Sequence, residues 1–153
     1  MKKLIYILLI VIIIVIYLFP QNGVNNVGTG LKPISTMVCI ESNCFDVEIA
    51  DTPQKREIGL MNRKNMLADD GMFFIFEKEG IHNFWMKNTL IPLDIIWINT
   101  NDKIIFIQKN AQPCKVEQCE SFGPNQKAKY VLEINSGLAE EMGIEAGNKI
   151  ILK

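Results

Sequence analysis

The side chains best suited to act together chemically are Arg56, Trp85, Lys87, Asn88, Asp94 and Glu133. Asp94 alternates with Ile96 and Ile98, and Glu133 with Val131, so each carboxylate holds a strand position whose same-face neighbours are apolar. An isolated charge in such a place is costly, so each should be either paired or functional. Three readings stay open. Arg56 and Lys87 could form ion pairs with Asp94 and Glu133 that organise the fold. Alternatively, Trp85, Lys87, Asn88 and Asp94 could line a ligand pocket, supported by Arg56 and Glu133, because concave sites combine aromatic walls with few polar groups. Finally, Lys87 and a carboxylate could move protons if burial tuned them. Strand alternation puts Trp85, Lys87 and Thr89 on one face and Phe84, Met86 and Asn88 on the other. Lys87 and Asn88 therefore share a cavity only if the strand ends there, as the following Ile91-Pro92 suggests.

Hydrolase signatures are absent: the chain has no G-x-S-x-G, no H-E-x-x-H and no glycine-rich phosphate loop. The reading therefore leans away from an enzyme. His82 is the single histidine and is expected at the surface, so no histidine-rich metal site is possible. Met61, Met66, Met72 and Met86 could bind Cu(I), but scattered methionines usually fill gaps in cores. Neither metal nor cofactor is expected.

Four cysteines fall in two C-x4-C pairs, Cys39 with Cys44 and Cys114 with Cys119. Ser42 and Asn43 are turn formers, so the first pair sits at a hairpin tip that would bring its sulfurs together. Local disulfides are preferred on this ground. Free thiols and a four-cysteine zinc site remain alternatives, although zinc favours tighter C-x2-C spacing.

Disulfides agree with the N-terminus. Lys2 and Lys3 precede an unbroken apolar run from Leu4 to Phe19, closed by Pro20. As a helix this run would reach about 24 Å, slightly short of a hydrocarbon core of about 30 Å. The paired lysines favour a cytoplasmic N-terminus. Residues 1–20 are thus expected to be an uncleaved signal anchor, a single transmembrane helix in the cell membrane with the rest of the chain outside. Secretion after signal-peptide cleavage is the alternative, though no A-x-A-like site follows Phe19. Residues 21–33, rich in Gly and Asn, read as a flexible linker. The formal net charge of −1 offers no basic excess for phosphates, so no nucleic-acid partner is expected.

Residues 34–153 must then position the six side chains as one extracytoplasmic β-rich domain. Thr36–Glu41 and Phe45–Ala50 read as a hairpin. Thr52 and Pro53 start a helix reaching about Met61. Further strands are expected at 71–76, 82–87, 93–99, 103–109, 130–135 and 149–152. A short helix capped by Asn135 or Ser136 should end at Gly143. The fold class is α+β, mostly β: a small barrel-like domain of about seven short strands and two short helices.

Several ordered segments carry a family resemblance: Arg56 with Gly59-Leu60-Met61, Gly71-Met72-Phe73-Phe74, Phe84-Trp85-Met86-Lys87-Asn88-Thr89 and Pro92-Leu93-Asp94. Tyr130-Val131-Leu132-Glu133 and Gly143-Ile144 with Gly147 continue the series. Together they resemble the family "domain of unknown function 192" over residues 36 to 152. The resemblance implies a small, often exported or membrane-anchored domain without an established activity. Trp97 and Asn99 stand where that family commonly has Phe and Asp, and the C-x4-C pairs are additions to its pattern. The expected function is a binding or accessory module for a small molecule or cell-envelope component. The alternatives are an envelope enzyme using a Lys/carboxylate pair and a structural partner of another envelope protein.

Overall fold

A computed structural model describes residues 36–153 of the chain; the expected anchor (1–20) and linker (21–33) lie outside the described residues. Among the described residues, no helix is long and apolar enough to cross a membrane.

The chain begins with the expected hairpin, β1 (Thr36–Ile40) and β2 (Asn43–Ala50), with Cys39 directly opposite Cys44. The two sulfurs lie 2.08 Å apart, in bonded contact. Thr52 then caps α1 (Pro53–Ile58), its hydroxyl accepting the Lys55 amide at 3.2 Å, and Pro53 occupies the first turn. Strand β3 (Asp70–Gly80) returns parallel to β2, with α1 in the crossover. Two-residue β4 (Phe84–Trp85) follows, then β5 (Leu93–Ile98) and β6 (Ile104–Ala111). The β5–β6 turn is held by Asn99, whose Oδ1 accepts the amides of Asn101 and Lys103. After β7 (Ser121–Phe122) come β8 (Ala128–Asn135), α2 (Leu138–Glu141) and β9 (Ile150–Leu152).

Seven strands form one curled half-barrel sheet in the order β6-β5-β8-β3-β2-β1-β9, while β4 and β7 pair as a separate ribbon. At one end the outer strands approach each other, the Ile104 amide donating to Asn148 O at 2.9 Å and the Ile150 amide to Asp102 O at 2.9 Å.

Alternation along the strands builds a core on each face of the sheet. Phe73, Ile96, Ile98, Leu132 and Ile134 pack with Val38, Ile40 and Phe45 on one side. Met72, Phe74, Ile95, Trp97 and Val131 pack with Leu60, Met86 and Leu93 on the other. Strand β5 is buried along its whole length, as its unbroken apolar pattern around Asp94 requires.

The β4–β7 ribbon covers the second core. Phe84 meets Phe74 edge-on at 4.9 Å and Trp97 at 5.6 Å. Beyond it, the Cys114 amide donates to Met86 O at 3.2 Å, and Cys114 is bonded to Cys119 at 2.05 Å. Replacing both of these cysteines with Ala should cost about 2 kcal/mol by the loop-closure argument. Urea denaturation without reductant would check this, and an unchanged midpoint would mean that the bond is absent or idle.

Candidate functional site

Strand alternation and one turn decide what β4 presents. Phe84 and Met86 turn inward to the aromatic core, so Trp85 faces out and remains 45% exposed. The strand stops there, earlier than the expected 82–87, because residues 86–89 fold into a turn. The Thr89 amide donates to Met86 O, and Asn88 takes a positive φ of 57°. This turn breaks the alternation: Thr89 becomes buried and Asn88 exposed.

Opposite β4 lies α1. Arg56 Nη1 donates to Asp51 O at 2.8 Å and Ile75 O at 2.7 Å, and its guanidinium sits 5.2 Å from the centre of the Phe76 ring. The helix ends at Gly59, whose φ of 49° suits glycine and whose absent Cβ would lie 3.4 Å from the Phe74 ring.

Between these elements is a groove with two adjoining recesses. The deeper one, about 30 Å³, is lined by Arg56, Gly59, Met61, Trp85, Thr89 and Glu133, among others. It has room for about one water molecule or one hydroxyl group. The wider one, about 230 Å³, is lined by Arg56, Glu57, Phe76, Asn83, Phe84 and Trp85.

Glu133 forms the floor of the deep recess. It stands on β8 opposite Met72 of β3 and Ile95 of β5, and only 5% of it is exposed. Its Oε2 is buried without a hydrogen-bond partner. Burial pushes its carboxyl up to about 8, so Glu133 is protonated at neutral pH.

The structure brings Arg56, Trp85 and Glu133 together around the groove. Lys87 stands at its rim, Nζ 5.3 Å from the Trp85 ring centre. Asn88 braces the wall, its carbonyl accepting the Asn62 amide at 2.8 Å. Asp94 lies elsewhere. It pairs with Ile134 whereas Glu133 pairs with Ile95, which places the two carboxylates on opposite faces of the sheet. Both Asp94 oxygens are occupied, Oδ1 by the Asn110 amide at 2.8 Å and Oδ2 by the Ala139 amide at 2.9 Å. Of the three open readings, the ion-pair network is not formed: no two of Arg56, Lys87, Asp94 and Glu133 are bridged, and the ion pairs seen among the described residues are Lys55–Asp51 and Arg63–Glu48.

Other expectations also shift. His82 is half-buried rather than on the surface, stacked on Phe76 at 3.5 Å, with its carbonyl accepting the Trp97 indole at 2.7 Å. Burial lowers its pKa. Glu57, Phe76, Phe84 and Thr89 line the groove, although they were not among the candidate site residues expected from the sequence. Phe76 could have been found from its parity with Phe74, but nothing local marks Glu57.

The chain matches the model of the family domain of unknown function 192, described as uncharacterized ACR, over residues 15–152. The UPF0127 protein PH1112 of Pyrococcus horikoshii is 31% identical over 110 residues, or 69% of this chain and 85% of that one. A crystal structure of a protein of unknown function from Novosphingobium aromaticivorans shares 32% identity and a TM-score of 0.70, covering 78% of this chain and 89% of that one. Another, of a Sinorhizobium meliloti protein provisionally named a transcription regulator, shares 33% identity and a TM-score of 0.70, covering 76% and 91%. The matched span includes every segment that carried the resemblance and every residue of the groove, and on that ground the chain belongs to the family domain of unknown function 192.

Proposed function

We propose that this domain is an extracytoplasmic binding module, held at the cell membrane by residues 1–20, whose groove between α1 and β4 takes a small molecule or a cell-envelope component. One observation carries the reading: a buried carboxyl without a hydrogen-bond partner for its Oε2 lies at the floor of a recess whose mouth holds a half-exposed tryptophan. A buried polar atom left unsatisfied costs about 1–3 kcal/mol, and a ligand group that reached it would recover part of that cost. The location is supported by the apolar run behind Lys2 and Lys3 and by the two disulfides. The net charge of −1 gives no support to a nucleic-acid partner. The alternative, an envelope enzyme using Lys87 and a carboxylate as acid and base, loses Asp94 as its carboxylate, since both Asp94 oxygens are held by backbone amides.

A thermal-shift screen of the full chain in detergent tests this reading, with sugars, cell-wall fragments, nucleotides, peptides and amines as probes. A ligand at a hundred times its dissociation constant should stabilise by about 2.7 kcal/mol. Trp85→Ala should abolish that shift while changing the unliganded stability by less than about 1 kcal/mol, because the ring is half in water. A shift that survives Trp85→Ala would move the site out of the groove.

A further inference from the structure

We infer that the ligand is a neutral hydroxylated ring of the sugar class, laid against Trp85 with one hydroxyl turned into the recess at Glu133. The inference rests on the groove being the binding site and adds the chemistry of its occupant.

Size comes first. The wide recess of about 230 Å³ accepts a single ring, whereas the deep one of about 30 Å³ accepts one small substituent. Aromatic surface comes second. Phe76 is covered by His82 at 3.5 Å and by Arg56 at 5.2 Å, and Phe84 is locked edge-on against Phe74 and Trp97. Trp85, with Lys87 Nζ 5.3 Å from its ring centre, is still 45% exposed and is the most open aromatic wall of the groove, and a flat indole suits the C–H face of a pyranose.

Charge comes third. Arg56 lines the groove and Lys87 stands on its rim, so a cationic ligand meets two positive neighbours. The protonated Glu133 carboxyl both donates and accepts, which matches a hydroxyl, itself a donor and an acceptor. Around Glu133, β3 and β5 contribute the apolar Met72, Phe74 and Ile95, and α1 contributes Arg56 and Glu57. Glu57, which is exposed, is the other carboxyl at the groove.

The test is a calorimetric titration of the full chain in detergent with glucose, galactose, mannose and N-acetylglucosamine, beside tetramethylammonium and acetate. At least one sugar should bind, and Trp85→Ala should lose it. Glu133→Gln retains a donor and an acceptor, so it should bind that sugar within about threefold of wild type, whereas Glu133→Leu should weaken it by about tenfold or more. Wild-type affinity should fall about tenfold per pH unit once the Glu133 carboxyl ionises, a fall that persists in Glu57→Gln and disappears in Glu133→Gln. Folding of each variant is checked by its melting curve. Sugar binding unaffected by Glu133→Leu overturns the inference. Binding of tetramethylammonium or acetate alone, lost in Trp85→Ala, also overturns it but leaves the groove as a binding site. No response to any probe removes the sugar assignment, and the groove itself then stands or falls on the wider screen.

Discussion

Replacing Glu133 with Gln should leave the domain almost unchanged at acid pH and make it markedly more stable than wild type at alkaline pH. The carboxyl rises from 4.5 to about 8 because burial penalises its ionised form. Between those values the folded protein holds a proton that the unfolded chain releases. Unfolding therefore becomes easier as pH rises. The Glu133 contribution is complete below the unfolded value and is lost by the time pH has passed the folded one. Over that whole window the gap between wild type and Glu133→Gln should widen by roughly 5 kcal/mol. His82 works in the opposite direction at the acid end, because its lowered pKa costs stability as pH falls through and below 6.5. Comparing the two proteins at each pH cancels that contribution. Urea denaturation from about pH 4 to about pH 9 measures the gap. A constant gap would mean that Glu133 has a partner in solution, and it would remove the basis for a neutral carboxyl in the groove.

Asp94→Ala should be among the most damaging single substitutions in the domain, at about 3–5 kcal/mol. Asp94 is fully buried, and its two oxygens serve two backbone amides from distant parts of the chain. Each hydrogen bond to a charged acceptor is worth about 1.5–3 kcal/mol, and alanine would leave both donors without a partner. The melting temperature should fall by about 10 °C or more for a domain of this size. Asp94→Asn keeps one acceptor oxygen and should lose about half as much. Calorimetry on the three proteins gives the answer. Near-wild-type stability in Asp94→Ala, together with lost ligand binding, would return Asp94 to the site.

The Asp94 result also shows where a sequence reading stops. Asp94 and Glu133 share one local signature, a carboxylate among alternating apolar residues. Their roles separate only when β5 and β8 are paired, because the register puts Ile134 beside one and Ile95 beside the other. Local signals did identify local structure. Thr52 and Pro53 begin α1, and Asn99 to Lys103 turn β5 into β6. At the Cys39–Cys44 hairpin Ser42 is in the turn as expected, but its turn partner is Glu41, and Asn43 already belongs to β2, paired with Ile40. Gly143 follows α2 with a φ of 64°, in the expected place. The start of α2 was less accessible to inspection. Asn135 or Ser136 was expected to cap it, but neither does. Its Ala139 amide is held by Asp94, a residue from β5. No propensity within residues 135–143 could reveal a cap supplied from 45 residues away. The parallel pairing of β2 with β3 was hidden for the same reason, since it depends on α1 crossing between them. The groove combines both cases: Arg56, Trp85 and Glu133 could be chosen by residue type, but their meeting depends on α1, β4 and β8.

The pairing of β1 with β9 carries a consequence for the order in which the domain can be completed. Val38 lies opposite Leu152, and Met37 exchanges backbone hydrogen bonds with Lys153 at 3.1 and 2.9 Å. The groove residues span only 56 to 133, so a growing chain contains the entire groove before it contains β9. Until then the free edge of β1 remains open to any other extended strand. A nascent chain stopped just after β8 should therefore be more prone to cross-pairing between copies than the finished domain. The addition of three residues, Ile150–Leu152, turns that sticky intermediate into a covered edge.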